Sequence, residues 1–205
     1  MRKLARTLDV YPTAIYWYVP NRNAILAAVV DHALHDILPA APSDDWRGWL
    51  RQLFHRYREG VRRHPNVAAL AGAQLISNGG MRPQLIDQIL TVLDSAGFQG
   101  ADLRHAYNVV IAVMTGFVTM EFAPQPADDV PAWRDSVRNT FRSADAETYP
   151  VLARYLPDLE NQAFVVRWQN GVDAPLDDSF DAYVDVAVHG LEMLASRVPS
   201  TQAAV

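Results

Sequence analysis

No cysteine occurs among the 205 residues of the chain. That excludes disulfides, thiolate metal ligands and cysteine nucleophiles together, and it agrees with a reducing compartment. A bilayer-spanning run is missing too: the longest apolar stretch, Val109 to Met120, is too short and is interrupted by Thr115, Gly116 and Thr119. Behind Met1-Arg2-Lys3-Leu4 there is no apolar segment, so no secretory signal is visible. These absences predict a soluble, cytoplasmic protein with no membrane partner. There is also no glycine-rich phosphate loop and no G-x-S-x-G elbow. The six histidines show no helix-spaced pair with a carboxylate at metal-site spacing, His32 and His35 beside Asp31 and Asp36 coming nearest. No catalytic residues, metal site or cofactor are predicted, and the chain does not read as an enzyme.

Half of the residues are hydrophobic and 20% are charged, a balance that suits one or two globular domains with a real core. The formal net charge of −5 is unevenly spread. Residues 1–26 carry Arg2, Lys3, Arg6 and Arg22 against Asp9, a balance of +3, which leaves −8 for residues 27–205. A small basic head on an acidic body suits a DNA-reading module joined to a sensing module. On charge alone, a chance cluster of solvated residues explains it equally well.

Prolines and glycines divide the chain into helix-length pieces, and no segment alternates as a strand does, so the fold class is all-α. Helices are predicted over about 2–8, 12–18, 22–38, 44–63, 67–77, 82–96, 101–122, 130–141, 146–170 with a break near Pro157, and 178–196. Ser43-Asp44-Asp45 and Asp177-Asp178-Ser179 are candidate caps. In 44–63, Trp46, Leu50, Leu53, Phe54, Tyr57 and Val61 form a core face, with Arg51, His55, Arg58 and Arg62 opposite. The 101–122 helix is apolar around most of its circumference, because Val109, Val113 and Met120 widen the stripe of Leu103, Tyr107, Val110, Met114, Phe117 and Val118. The last helix does the same, with Val186 and Met193 beside Phe180, Tyr183, Val184, Ala187, Leu191 and Leu194. Two such helices point to a homodimer through about 101–122 and 178–196, extra burial within one monomer being the alternative.

The head rewards closer reading. Leu4 to Val10 makes a short amphipathic helix that stops sharply, and Pro12 suits the first turn of the next. Ile15 and Val19 fall on one side of 12–18, while Thr13, Tyr16 and Trp17 point the other way and Tyr18 lies nearer the core side. Two short helices joined tightly fit a helix-turn-helix with 12–18 as its recognition helix. Asn21 can cap the following helix, and its first N–H groups with Arg22 make a phosphate clamp.

This run, Leu8-Asp9-Val10 followed by Ile15-Tyr16-Trp17-Tyr18-Val19-Pro20-Asn21-Arg22 and Ala24-Ile25-Leu26, closely resembles the tetracycline-repressor (TetR) family. His64-Pro65, Ala96-Gly97-Phe98 and Gly190-Leu191-Glu192 agree with it less specifically. The resemblance implies a partial DNA-binding head with its connecting helix at 1–38 and a ligand-binding and dimerisation domain at 39–205. It implies that Pro12 and Thr13 face base edges, that Tyr16 and Trp17 meet the DNA backbone, and that Arg22 holds a phosphate. For Tyr16 and Trp17 the alternative is packing against the 22–38 helix. Asp9 departs from the family's usual glycine and Tyr11 from its Ser-like cap. Family members begin with a further helix and a basic arm, so the head is expected to lack its first helix.

The resemblance also places a small-molecule effector among helices 44–63, 67–77, 82–96 and 101–122. Candidate contacts are His64, Gln74, Asn78, Tyr107 and Asn108, with Trp168; each can equally be a satisfied core polar group or a cap. The lining suits an apolar, aromatic effector with a few hydrogen-bonding groups. The implied function is a ligand-responsive repressor of a palindromic DNA operator. The alternative is a helical ligand-binding dimer whose incomplete head no longer binds DNA.

Overall fold

The first helix, α1 (Arg2–Thr7), is short because Asp9 turns the chain back on it. Asp9 takes a left-handed φ of 52°, while its N–H donates to the Arg6 carbonyl and the Val10 N–H donates to that of Ala5. Those bonds satisfy the last carbonyls of the helix in the manner usually left to glycine, so Asp9 carries the turn expected of it. Helix α2 (Pro12–Tyr18) has its proline in the first turn and receives no side-chain cap from Tyr11. Asn21 caps α3 (Arg22–Ala33), its Oδ1 accepting from the Ala24 N–H at 2.9 Å.

The computed structural model describes residues 1–40, 45–70, 82–126 and 128–197. Every regular element among them is helical. The body comprises α4 (Trp46–Arg63), a 3-10 turn (Pro65–Val67), α5 (Pro83–Ser95), α6 (Gly100–Glu121), α7 (Val130–Arg142), α8 (Pro150–Leu159) and α9 (Asp177–Ala195). No helix among the described residues is long and apolar enough to cross a membrane. Helix α6 is the axis, packed against α4, α5 and α9. Its Val110, Val113, Met114, Phe117 and Val118 join Trp49, Leu50, Leu53, Phe54 and Tyr57 of α4 in one core. Gly97, at φ 93°, ends α5: its N–H donates to the Asp94 carbonyl and that of buried Phe98 to Leu93.

Several expectations need correction. The 22–38 helix stops at Ala33. The carbonyls of Asp31 and His32, which would accept from residues 35 and 36, are taken by Arg82 Nη2 at 2.8 Å and by the His35 ring nitrogen at 2.9 Å. The 67–77 helix is preceded by the 3-10 turn, and 71–77 lies outside the described residues. The 146–170 helix is confined to Pro150–Leu159. Asp145 turns the chain before it by accepting from the N–H groups of Glu147 and Thr148, and beyond it Asn161 and Val165 take positive φ. Pro157 sits inside this helix, which ends two residues later. Tyr18, expected nearer the core, closes α2 and is 89% exposed.

Arg58 is the largest correction. Read as solvent-facing, it is buried and forms a bidentate pair with the fully buried Glu121, at 2.8 and 2.6 Å. It heads a ladder between antiparallel α4 and α9: Arg47 with Glu192, Arg51 with Asp185, His55 with Asp181, and Arg58 and Arg62 with Asp177. Asp177 therefore does not cap α9, whose N-cap is Leu176 without a side-chain bond. Glu121 also accepts from the Leu176 N–H at 3.0 Å, and its carbonyl from Gly171 N–H at 2.7 Å. One carboxylate thus ties α4, α6 and the segment before α9, and its bonds offset the cost of burying the charge.

Candidate functional site

The head displays rather than buries its side chains. Pro12, Thr13, Tyr16, Trp17 and Arg22 are all exposed, Trp17 at 88%. No residue of α2 is buried, and α1 buries only Ala5. The two helices lie against each other, with Asn21 and the start of α3 immediately after them. The polar and aromatic groups of α2 therefore share one accessible end of the molecule with the first N–H groups of α3, where a phosphate oxygen is favoured by the helix dipole.

Behind this surface runs an apolar groove of about 450 Å³. Leu4, Leu8, Ile15, Val19, Ile25 and Val29 line it from the head, and His64 and Val67 close it from the body. His64 was a candidate effector contact at the end of the 44–63 helix. It leaves the helix as the C-cap of α4, at φ −133°, and stands exposed at the junction of head and body.

The other candidate effector contacts scatter. Tyr107 is half-buried on α6, and burial raises its phenol above the usual range. Asn108, its neighbour, faces solvent. Trp168 is buried, with the Arg138 guanidinium 4.9 Å over its ring and its carbonyl accepting from Gln125. Gln74 and Asn78 lie outside the described residues. A cluster that sequence reasoning treated as ordinary core centres on Phe117, whose ring lies 4.8 Å from Phe164, 5.3 Å from Phe180 and 5.4 Å from Tyr183. Burial raises the Tyr183 phenol as well. Among the described residues, no group of three or more His, Asp or Glu side chains is placed to hold a metal.

Sequence reasoning also missed three arginines at the far end of α3. Arg82 donates to the Asp31 carboxylate, to the Asp31 carbonyl at 2.8 Å and to the His35 carbonyl at 3.0 Å. Arg63 pairs with Asp36 at 2.7 Å, and Arg56 donates to the Leu38 carbonyl at 2.7 Å. Hydrogen bonding from Arg82 and from Arg63 holds the carboxyls of Asp31 and Asp36 below the usual range. No spacing rule signals these pairs, since the partners lie up to 51 residues apart.

On the outer face, Val109 and Met120 of α6 and Val186, Met193 and Leu194 of α9 are exposed, Val186 at 73%. Val109, Met120, Val186 and Met193 are among the residues that made both helices look too apolar for one monomer.

A basic helix-turn-helix head on an all-helical body defines the class of two-part helical regulators. Residues 38–172, well over half of the chain, match the family described as Tetracyclin repressor-like, C-terminal domain. The chain belongs to the tetracycline-repressor family of transcriptional regulators, which are regulators rather than enzymes. It is 32% identical over 132 residues to the tetracycline repressor protein class A from transposon 1721 of Escherichia coli, covering 60% of this chain and 57% of that protein. It is 28% identical over 160 residues to an HTH-type transcriptional regulator of Saccharopolyspora erythraea, covering 77% of this chain and 66% of that one. The matches thus span less than two thirds of either relative. In fold, it resembles a possible TetR family regulator from Streptomyces coelicolor, with TM-score 0.69, 24% identity and coverage of 94% and 88%. It also resembles the S. coelicolor TetR family protein ActR in complex with actinorhodin, with TM-score 0.64, 19% identity and coverage of 96% and 88%.

Proposed function

We propose that the chain is a ligand-responsive repressor that acts as a homodimer on a palindromic operator, with residues 1–38 as its DNA-binding part and 39–205 as its sensing and dimerisation part. The observation that carries this reading is the surface of α2, a two-turn helix that buries none of its residues and presents Thr13, Tyr16 and Trp17 to solvent within a stretch, residues 1–26, of net charge +3. Thr13 offers a hydroxyl and a methyl to a base edge, and Pro12 sits beside it at the helix start. Tyr16, Trp17 and Arg22 supply contacts to the sugar-phosphate backbone. Two copies joined through Val109, Met120, Val186 and Met193 would present two such helices to successive major grooves.

The effector in this reading is apolar and aromatic and is held by the body, with Tyr107 and Trp168 as candidate contacts. Support for an aromatic effector comes from the ring cluster around Phe117 in the body and from ActR, a protein of similar fold seen with actinorhodin. Effector binding then changes the seat of α3 and the separation of the two heads, which requires a differential affinity of a few kcal/mol at most, typically about 1–3.

The test is a gel shift with DNA flanking the protein's own gene. Arg22→Ala and Tyr16→Ala are each expected to weaken binding by about tenfold, and Arg22→Ala to reduce the salt slope by about 1. Binding that persists unchanged in both variants removes α2 and Arg22 from the interface. A second reading, a ligand-binding dimer that does not read DNA, is favoured by the open apolar groove under the head. It predicts no shift at any DNA concentration from a protein that sediments as a dimer.

A further inference from the structure

Helix α3 joins head to body, and only its far end enters a buried cluster of the body. In its first two turns Ala24 to Ala27 are half-buried and none is fully buried, whereas Val30 and Ala33 enter a small cluster with Val67, packed by Leu34 and Leu70. Mechanically, this is a lever with its pivot at residues 30–33. The three arginines act on the segment just beyond that pivot. Arg56 and Arg63, both from α4, grip the outgoing chain at Leu38 and Asp36. Arg82 differs from them in two respects. It stands at the N-cap of α5, a different element, and it reaches back onto the helix itself, at Asp31, one residue after Val30. Its planar fork engages a carboxylate and two carbonyls at once, so it fixes direction as well as distance. Any rotation of α3 about Val30 and Ala33 has to break or bend those bonds, and any displacement at the start of α5 is passed to α3.

We propose that Arg82 is a positioning residue that sets the angle of the head from the start of α5, acting through Asp31. This rests on the two-part regulator reading above, and it assigns the mechanical link between sensing body and head to one guanidinium.

The absence of cysteine makes the test clean. Tyr11→Cys in the head and Asp94→Cys at the far end of α5, both exposed positions, accept a pair of fluorophores in the full chain. Labelled chain mixed with a large excess of unlabelled chain confines the measured pair to one protomer. The unmodified clasp should give one narrow distance distribution. Arg82→Gln and Asp31→Asn should each shift and broaden it, and Arg82→Lys, which keeps the charge but loses the fork, should fall between. Amide exchange across residues 22–38 should rise by about tenfold in Arg82→Gln, with α4 and α6 unchanged. Arg51→Gln, which removes an exposed pair on the opposite side of α4, should change neither reading. An Arg82→Gln distribution that matches the unmodified one overturns the proposal. So does exchange that rises equally in α4 and α6, because Arg82 would then be a general stabiliser. Failure of the regulator reading appears separately, as loss of the gel shift in the parent chain.

Discussion

Head and body follow the same local rules and reach opposite states of burial. Helices α1 and α2 together bury one side chain, Ala5, whereas α4 alone buries Trp46, Trp49, Leu50, Leu53, Phe54, Tyr57 and Val61 along with Arg58. Both regions have well-formed helix ends: Asp9 closes α1 with the same pattern of bonds by which Gly97 closes α5. Helix ends therefore say little about stability. Helices of six and seven residues are too short to persist alone in water, so the order of the head depends on α3 and on what packs along its open groove. The body holds itself. A region meant to be re-aimed is best attached this way, lightly and at few points, to one that is not.

The sharpest attempt to break that contrast is Glu121→Ala. Arg58 would keep its charge inside the body with only the half-exposed Asp177 left as a partner, a loss of up to about 3–5 kcal/mol. Urea denaturation followed by tryptophan fluorescence should show it as a much lower midpoint. Replacing both members with apolar groups, Arg58→Met with Glu121→Leu, should recover much of that loss, because the cost lies in leaving a buried charge without its buried counter-charge. A Glu121→Ala midpoint near that of the parent chain would mean the pair is not what holds the body.

Gly171→Ala is a milder probe of the same place. A methyl group there would meet Glu121 Cγ at 2.5 Å and Phe122 Cε1 at 2.9 Å, inside the carbonyl-to-amide bond that joins Gly171 to Glu121. Overpacking of this kind costs about 1–3 kcal/mol, and the same denaturation experiment reads it. Neither change should alter amide exchange in residues 1–29, which share no bond with this network. Faster exchange there would tie head and body together more tightly than the burial pattern implies.

What was legible in the sequence was whatever neighbours decide. The left-handed turn at Asp9, the Asn21 cap, proline at the start of α2 and the core faces of α4 and α6 all follow from residues a few positions apart, and all were read correctly. Several of the misreadings come from a partner far along the chain. Arg58 sits at the edge of the apolar face of α4, where a cation reads as solvent-facing until Glu121, 63 residues on, is brought beside it. A signal was present: Glu121 is a lone acid at the end of a long apolar run, and such a group asks for a partner. Helix α3 looked longer because no proline or glycine ends it at Ala33; Arg82, from 51 residues away, and the nearby His35 ring take the carbonyls there. His64, a candidate effector contact, falls one residue beyond the end of α4. The alignment of Thr13, Tyr16, Trp17 and Arg22 on an exposed head was legible, while the arginine grip on α3 was not.

Acid should separate the two regions by the smallest effect of all. Asp31, Asp36 and Asp177 are each held below the ordinary aspartate value of 3.8, by hydrogen bonds from Arg82, Arg63 and Arg62 respectively. A carboxyl with a depressed pKa in the folded state binds protons less readily there than in the unfolded chain. Its contribution is therefore complete above 3.8 and is lost as pH falls through that value toward the folded one. Their side chains are 48%, 45% and 57% exposed, so solvent screens each pair to below about 1 kcal/mol. Two of the three lie at the seat of α3, and the third belongs to a body that also has its core. Between about pH 5 and about pH 3, the Tyr11–Asp94 distance distribution should therefore broaden before the tryptophan signal of the body changes. High salt, which weakens exposed pairs, should blunt the shift. If body and head loosen at the same pH, the seat of α3 is no weaker than the core, and the contrast in burial does not translate into a contrast in motion.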